Sequence, residues 1–277
     1  MQKRILTIQD ISCVGQCSLT VALPIISACG VETCVLPSAV LSTHTGGFKG
    51  FTFRDLTEDM PLIEKHWNKE NIKFSAVYTG YLGSAKQIDY VKSIAKTCLE
   101  QGGKLIVDPA MADNGKLYVG FDLAFVEKMK ELCKEADYLL PNLTESCFLT
   151  GETYLENYDE KYVDGVLEKL SKLCSSNATI VLTGISYTSD KTGVVVYQNG
   201  QKRYYEHEKI SKGCHGTGDI YASAFVGGLV RGKEPFEAAK IAADYTFACI
   251  LETKKDETHW YGARFESSLP LLIEKLK

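Results

Sequence analysis

Short apolar runs typical of strands alternate along this chain with longer amphipathic segments typical of helices. This alternation predicts an α/β fold with a mainly parallel central sheet. Neither a linker nor a repeat divides the 277 residues, so we predict a single domain over 1–277. The predicted strands are 4–9, 33–36, 76–79, 104–107, 138–140 and 179–182, followed by a hairpin of 193–197 and 202–205. The predicted helices are 18–29, 84–101, 121–135, 143–149, 162–173, 220–231, 235–252 and 266–276, with a loop over 48–60.

A glycine-rich run precedes one of these helices, with the sequence Gly-Cys-His-Gly-Thr-Gly-Asp at 213–219. Its glycines allow positive φ angles and a close approach of the backbone to a ligand. Unpaired backbone N–H groups at a helix start favour negative charge there. A carboxylate in such an anion site is out of place unless it has its own task, such as taking a proton from a substrate hydroxyl. The run therefore predicts phosphoryl transfer with Asp219 as the base, and the alternative is a helix N-cap at Asp219.

Composition argues against several classes of partner. A net charge of −4 and the lack of a long basic run argue against nucleic acid. No apolar stretch approaches the roughly 20 residues of a membrane helix, and the first residues do not resemble a signal peptide. The 10 cysteines are scattered without a Cys-x-x-Cys pair, which favours a reducing, cytoplasmic setting. Cys13 and Cys17 lie close in sequence, but no further ligand cluster supports a metal site there.

Polar residues recur where the predicted strands end. In open α/β sheets ligands bind at the carboxyl ends of the strands, so these positions predict a site. The Mg²⁺ that accompanies a nucleotide prefers oxygen ligands, which Asp108 and Glu145 would supply. The alternative for Glu145 is stabilisation of a first helical turn, and Asp113-Asn114-Gly115 is more simply a turn. The strand-end set is Gln9, Asp10, Thr79, Tyr81, Asp108, Asn142, Glu145 and Thr183.

Two groups of motifs carry a resemblance to known kinases. The run Gly-Thr-Gly-Asp at 216–219, followed by Tyr-Ala-Ser-Ala at 221–224, resembles the signature of the ribokinase-like kinases. Further motifs, in the same order and at similar spacing, resemble the pyridoxal (pyridoxamine) kinases over about residues 4 to 255. The resemblance implies the ribokinase-like three-layer α/β/α fold. The motifs are Ile-Gln at 8–9, Ser-Thr-His-Thr-Gly at 42–46, Thr-Gly-Tyr-Leu-Gly-Ser-Ala at 79–85, Asp-Pro at 108–109 and Pro-Asn-Leu-Thr-Glu at 141–145.

For catalysis, the resemblance implies direct transfer of a phosphoryl group from ATP to the 5′-hydroxymethyl group of a vitamin B6 compound. Asp219 would take the proton from that hydroxyl. The amides of Gly216, Thr217 and Gly218 would hold the γ-phosphoryl group as an anion hole. The residues that would line the pyridine site are Thr45 and Tyr81, with His44 close by.

For the nucleotide, the resemblance places Asp108, Asn142 and Glu145 around the ATP phosphates and Mg²⁺, with Thr183 further along the nucleotide site. Asp108 and Glu145 would hold the Mg²⁺, partly through water. The implied partners are a B6 vitamer and ATP, with a second copy of the chain in a homodimer. A requirement for a monovalent cation such as K⁺ stays open.

One position departs from the family pattern, because Asp10 stands where many members have serine. We predict that its carboxylate contacts the polar edge of the pyridine ring and biases the choice among vitamers. For the neighbouring pair Cys214-His215 we favour a loop-packing role over a nucleophile with its base.

Several alternatives remain at this point. A hydroxymethylpyrimidine kinase shares the fold but ends the motif in Gly-Thr-Gly-Cys, where this chain has Asp219. A sugar or nucleoside kinase on the same fold also fits the glycine-rich run. A non-catalytic nucleotide- or B6-binding regulator is the alternative of a different class. A dinucleotide-dependent oxidoreductase is the weakest, because no Gly-x-Gly-x-x-Gly follows the first strand.

Overall fold

The computed structural model describes residues 3–210 and 213–277, which form two compact units. Unit 1 consists of Met1–Gly103 and Ile210–Lys277, and unit 2 consists of Lys104–Lys209. Both units combine helices with strands, and parallel pairs lie at the centre of each, as the alternation in the sequence predicts. The single domain over 1–277 stays a prediction.

The strands of unit 1 are β1 (Arg4–Val14), β2 (Glu32–Thr43), β3 (Phe53–Asp55) and β4 (Phe74–Thr79). They lie in the order β4-β1-β2-β3, with β1 parallel to β2 and β4 and with β3 antiparallel to β2. β1 and β2 run well past their predicted ends, because their pairing continues to Val14 and Thr43 regardless of side-chain polarity. The register shifts between Gln9 and Ile11, where β2 has one more residue than β1, so a bulge in β2 lies opposite Asp10. Such bulges re-aim side chains near functional sites.

The helices of unit 1, numbered along the whole chain, are α1 (Leu19–Ala28), α2 (Met60–Lys69), α3 (Ala85–Cys98), α7 (Thr217–Val230), α8 (Pro235–Lys254) and α9 (Leu269–Lys275). Ser84 caps α3 as predicted, because its hydroxyl accepts the N–H of Gln87 at 3.3 Å. α3 ends at Cys98 and not at residue 101, because Leu99 is extended and begins strand β5 (Leu99–Val107). The predicted loop over 48–60 contains β3, and the sequence prediction missed α2 although a proline in its first turn and basic residues in its last turn were available signals.

The remaining strands, β6 (Ala112–Asp113), β7 (Lys116–Leu117), β8 (Tyr138–Leu139), β9 (Thr179–Ile185), β10 (Lys191–Gln198) and β11 (Gln201–Glu208), belong to unit 2. β8 is parallel to β5 and to β9, whereas β10 and β11 form an antiparallel hairpin beside β9. The predicted Asn-Gly turn is confirmed, with φ 51° at Asn199 and 75° at Gly200. The predicted turn at Asn114-Gly115 is also confirmed and joins β6 to β7. The helices of unit 2 are α4 (Leu123–Cys133), α5 (Leu143–Thr150) and α6 (Glu160–Leu173).

Apolar side chains fill the interior of each unit. Ile8, Tyr78 and Phe225 have no exposed surface in unit 1, and Val107 and Leu139 have almost none in unit 2. The buried residues of β1, β4, β5 and β8 therefore fix the strand ends from which the polar residues project.

Two further observations concern the chain as a whole. All 10 cysteines lie in the described ranges, and each is a free thiol. Within residues 3–210 and 213–277, every helix is too short or too polar to cross a membrane.

Candidate active site

The glycine-rich run forms the start of α7. Gly216 is the N-cap, with φ 76° and ψ 4°, and the first intrahelical hydrogen bond runs from the N–H of Ile220 to the carbonyl of Gly216 at 3.0 Å. The amides of Thr217, Gly218 and Asp219 therefore precede the hydrogen-bonded helix and form its positive end. Asp219 lies within the first turn, so the alternative of Asp219 as the N-cap is wrong because Gly216 occupies that position.

Gly216 also packs against the turn between β1 and α1. A Cβ atom at this position would lie 1.8 Å from the carbonyl oxygen of Gln16. Both the positive φ and this contact require glycine. The close approach fixes the start of α7 against the backbone that carries Cys17 and Ser18.

The carboxylate of Asp219 lies in an environment suited to a base. Burial raises its pKa to about 7, a backbone hydrogen bond from Ser18 lowers it, and the carboxylate of Asp10 raises it further. A base works best when its pKa lies near the operating pH. At neutral pH a substantial fraction of Asp219 is therefore deprotonated, and that carboxylate is basic enough to take a proton from a hydroxyl group.

This pKa predicts the acidic limb of the pH profile. Because only the deprotonated carboxylate accepts a proton, we expect kcat/KM to fall about tenfold per pH unit below about pH 7. The measurement is kcat/KM for several substrates between about pH 5.5 and 9. An acidic limb that all substrates share reports the titration of a group on the protein and not on a substrate. A profile that stays flat down to about pH 5 would contradict the raised pKa of Asp219.

Asp10 lies in β1 opposite the bulge of β2 and is only 5% exposed. Its Oδ2 accepts the hydroxyl of Ser12 at 3.0 Å, and the hydroxyl of Ser18 donates to the same carboxylate. Burial raises the pKa of Asp10, while these hydrogen bonds and the nearby His44 lower it. Burial and then the charge of Asp10 raise the pKa of Tyr81. Three residues predicted from sequence to bind substrate, Asp10, His44 and Tyr81, thus lie in one electrostatic environment.

His44 is oriented by backbone groups on both sides. The N–H of Gly46 donates to its Nδ1 at 3.0 Å, so Nε2 carries the proton and donates to the carbonyl of Tyr261 at 2.7 Å. Because both ring nitrogens have backbone partners, His44 shapes the loop that presents the exposed Thr45. Sequence reasoning missed Tyr261, which acts through its main chain and so leaves no side-chain signal.

Cys214 and His215 pack the loop before α7. The ring of His215 lies against Gly46, where a Cβ would be 2.7 Å from its Nδ1, and 5.4 Å from the ring of His44. Burial, and then His44, lower the pKa of His215. The carbonyl of Cys214 accepts the hydroxyl of Thr217 at 3.4 Å. These contacts agree with the predicted loop-packing role of His215, which stays a prediction.

Sequence reasoning also missed the turn between β1 and α1. The amide of Gln16 donates from Nε2 to Glu266 at 2.8 and 3.0 Å, while its Oε1 lies 2.7 Å from Nε2 of His259. The thiol of Cys17 lies near the carboxylates of Asp10 and Asp219, and burial with both charges raises its pKa. This turn follows the carboxyl end of β1, where α/β proteins bind ligands, and that position could have identified it as part of the site.

Unit 2 brings three of the predicted nucleotide residues to one edge of its strands. Asp108 directly follows β5, Asn142 follows β8, and Thr183 lies in β9. Asn142 and Thr183 form a parallel bridge, and the N–H of Thr183 donates to the carbonyl of Pro141 at 2.9 Å. The geometry agrees with a shared site at these strand ends, and the nucleotide role stays a prediction.

Glu145 has a structural role in the first turn of α5. Its Oε2 accepts the N–H of Asn142 at 2.8 Å, and the side chain of Asn142 accepts the N–H of Glu145 at 2.9 Å, which completes a capping box. Its Oε1 accepts the N–H of Met111 at 3.2 Å. Burial raises the pKa of Glu145 to about 8, and these hydrogen bonds lower it. The carboxylate thus holds the segment after Asp108 against α5.

The donor set suits a magnesium ion that arrives with a nucleotide. In the described ranges no three His, Cys, Asp or Glu side chains converge as a metal-binding group. Mg²⁺ needs only one or two carboxylates when phosphate oxygens and waters complete its shell. Asp108 would be the direct carboxylate, and Glu145, whose oxygens accept backbone N–H groups, would act through water.

Known proteins are similar to this chain along nearly its whole length. A sequence model of the phosphomethylpyrimidine kinase family matches residues 23–262. The chain is 28% identical over 276 residues to pyridoxal kinase of Dictyostelium discoideum, covering 94% of this chain and 87% of that protein. It is similar to pyridoxal kinase of Lactobacillus plantarum, with TM-score 0.91 and 28% identity over 99% of this chain and 98% of that one.

A second solved structure is more similar in sequence. It is a Bacteroides thetaiotaomicron protein in a crystal form with pyridoxal, with TM-score 0.91 and 34% identity. The match covers 98% of this chain and 96% of that one. These similarities confirm the predicted ribokinase-like α/β fold.

Proposed function

The chain belongs to the phosphomethylpyrimidine kinase family, and we propose that within it the chain phosphorylates vitamin B6 compounds at the 5′-hydroxymethyl group, using ATP. The observation that carries the proposal is the position of Asp219 in the first turn of α7, where its carboxylate lies beside the amides that begin the helix and burial raises its pKa to about 7. The relatives named pyridoxal kinase and the related structure that contains pyridoxal support the choice of substrate.

The proposed reaction is a single in-line transfer. Asp219 takes the proton of the 5′-hydroxyl while that oxygen forms a bond to the γ-phosphorus. The bond from the γ-phosphorus to the bridging oxygen breaks, and ADP leaves with the electron pair. The amides of Thr217 and Gly218 stabilise the negative charge on the transferred group, together with Gly216 as the N-cap. Neither a phosphoenzyme nor an activated serine is needed.

Unit 2 supplies the proposed nucleotide residues. Asp108, Asn142 and Thr183 lie at the ends of adjacent strands, where α/β proteins bind phosphates. Mg²⁺ bound with ATP neutralises charge on the phosphates. Asp108 would hold this ion, and Glu145 would orient the segment that follows Asp108 and contact the ion through water.

A substrate panel separates this proposal from its alternatives. ATP consumption is measured with pyridoxal, pyridoxamine, pyridoxine, hydroxymethylpyrimidine, ribose and a nucleoside. We expect consumption with at least one B6 vitamer at a kcat/KM about tenfold or more above that for hydroxymethylpyrimidine. Binding of ATP and pyridoxal without any phosphorylated product would establish a regulator, and a preference for sugars would establish another kinase.

Asp10 is proposed to set the preference among vitamers, because its buried carboxylate lies beside Tyr81 and His44. In Asp10→Ser, we expect the ratios of kcat/KM for the three vitamers to change by about tenfold, the effect of one charged hydrogen bond. The matched variant Asp10→Asn keeps the size of the side chain and removes its charge. Unchanged ratios in both variants would contradict contact between Asp10 and the ring's polar edge.

Assembly and setting form a separate part of the proposal. We expect a homodimer that acts in the cytoplasm on small molecules and has no nucleic acid partner, in line with the charge of −4. Light scattering after size exclusion tests the dimer, and a comparison of rates in K⁺ and Na⁺ tests for a monovalent cation requirement.

A further inference from the structure

Ser18, in the turn between β1 and α1, has a backbone conformation that serine seldom adopts. Its φ is 55° and its ψ is −132°, in a region that favours glycine. In residues 3–210 and 213–277, every other non-glycine residue with positive φ is an asparagine, which tolerates such angles. Strained residues persist where the surrounding structure holds them, and they cluster at functional sites. Ser18 is also only 6% exposed, so its conformation is not that of a free surface turn.

Each polar group of Ser18 has a partner in unit 1. Its N–H faces the carboxylate of Asp219 and its hydroxyl faces the carboxylate of Asp10, and each contact lowers the pKa of the carboxylate that it faces. Its carbonyl accepts the N–H of Ala22 at 2.9 Å and so begins α1. One residue therefore contacts both carboxylates of the site and begins a helix.

The unusual φ explains how these contacts coexist. Rotation about the N–Cα bond sets the direction of the N–H relative to the side chain and the carbonyl. A relaxed φ near about −60° would turn the N–H away from Asp219 while the hydroxyl and carbonyl stayed with Asp10 and α1. The strain in Ser18 thus accompanies the simultaneous alignment of both carboxylates.

We propose that Ser18 is a positioning residue that fixes the base Asp219 and the ring-edge carboxylate Asp10 relative to each other. This inference rests on the proposed function. The N–H of Ser18 holds Asp219 in the orientation that accepts the substrate proton. The hydroxyl of Ser18 holds Asp10 in the orientation that meets the pyridine ring. The titratable groups that face Asp219 are Asp10 and the thiol of Cys17, whose raised pKa keeps it neutral.

Two substitutions separate the hydroxyl from the backbone conformation. Ser18→Gly keeps the positive φ without strain and loses the hydroxyl. We expect its KM for pyridoxal to rise about tenfold, with kcat and the acidic limb of kcat/KM close to wild type. Ser18→Val disfavours positive φ because valine is β-branched, so the N–H is displaced from Asp219. In Ser18→Val we expect kcat to fall about tenfold or more, and the acidic limb to move to higher pH because Asp219 loses a donor.

A purely structural role would lower the thermal stability of these variants without changing the KM of the folded enzyme or its pH limb. That result would overturn the proposal. If Ser18→Val does not fold, Ser18→Gly carries the test through a double-mutant cycle with Asp10→Ser. The KM effect of Ser18→Gly should disappear in the Asp10→Ser background, and a fully multiplicative effect would overturn the link to Asp10.

The wild-type protein is assayed beside the variants, so the two ideas fail in different ways. Wild-type protein that phosphorylates no B6 vitamer overturns the proposed function. A ¹³C titration of Asp219, identified by its loss in Asp219→Asn, then still tests the hydrogen bond from Ser18. We expect the pKa of Asp219 to be higher in Ser18→Val than in wild type, and an equal pKa would overturn the backbone part of the proposal.

Discussion

Asp219→Asn should reduce kcat for B6 phosphorylation by about 10²–10⁴-fold, the usual contribution of a general base. Asparagine is nearly isosteric and keeps an oxygen that can accept the N–H of Ser18, but it cannot take the substrate proton. Nucleotide binding should be unchanged, because the proposed nucleotide residues lie in unit 2. Steady-state kinetics with each vitamer measure the loss, and calorimetric titration with ADP measures nucleotide binding.

The stability of Asp219→Asn provides an internal check on this result. The folded pKa of Asp219 lies near 7, above its ordinary value of 3.8, so the folded protein binds the proton more tightly than the unfolded chain. The stability linked to this proton is fully present below pH 3.8 and is lost as pH rises through about 7. Removing the charge should therefore raise the free energy of unfolding at about pH 8 by roughly 1–4 kcal/mol, and by less at about pH 5.

The control for Asp219→Asn is Asp59→Asn, a change at an exposed residue whose side chain makes no capping hydrogen bond to α2. It should leave both kcat and stability unchanged. Near-wild-type turnover in Asp219→Asn would remove Asp219 from the role of base. If Asp219→Asn lost turnover because it unfolds, the stability prediction would be contradicted, because we expect its free energy of unfolding to be higher than that of the wild type.

Gly216→Ala should damage both folding and catalysis. The positive φ alone costs an alanine about 1–2 kcal/mol. The added Cβ would also lie 1.8 Å from the carbonyl oxygen of Gln16, which is backbone and has little freedom to move. The start of α7 must shift, and the amides of Thr217 and Gly218 would shift with it. We expect kcat to fall about 10²-fold or more, since one misplaced oxyanion donor has an effect of that size.

Gly232→Ala is the matched control for Gly216→Ala, because Gly232 lies just after the other end of α7 with φ 94° and an added Cβ there would have no neighbouring atom within 4 Å. It carries the backbone strain without the clash. We expect a similar strain cost in thermal unfolding but normal kcat. Equal kcat values in the two alanine variants would contradict the role of Gly216 in holding the anion site.

The helix start that carries Gly216 and Asp219 was largely predictable from sequence. Glycine spacing and a carboxylate before a small-residue helix have a local physical meaning, so Gly216 and Asp219 could be assigned to a helix start without any knowledge of tertiary contacts. Asp108 and Asn142 could be placed because the carboxyl ends of parallel strands share one edge.

Other features depend on contacts that no local pattern shows. The main-chain carbonyl of Tyr261 orients His44, and any residue type could supply that group. The positive φ of Ser18 accompanies a contact with Asp219, which is distant in sequence, whereas local propensity would assign that angle to glycine. The position of Glu145 in the sequence fits both a magnesium ligand and a residue that stabilises a first helical turn. The hydrogen bonds that its carboxylate accepts from Asn142 and Met111 show the role in the first turn.

The most direct measurement is a competition in one tube. Wild-type protein receives ATP and Mg²⁺ with equal concentrations of pyridoxal and hydroxymethylpyrimidine, and mass spectrometry follows both phosphorylated products over time. We expect pyridoxal 5′-phosphate to form first and with an initial rate about tenfold or more above that of the pyrimidine product, with Asp219→Asn forming neither. Preferential formation of the pyrimidine phosphate, or ATP binding with no phosphorylated product, would contradict the assignment as a B6 kinase.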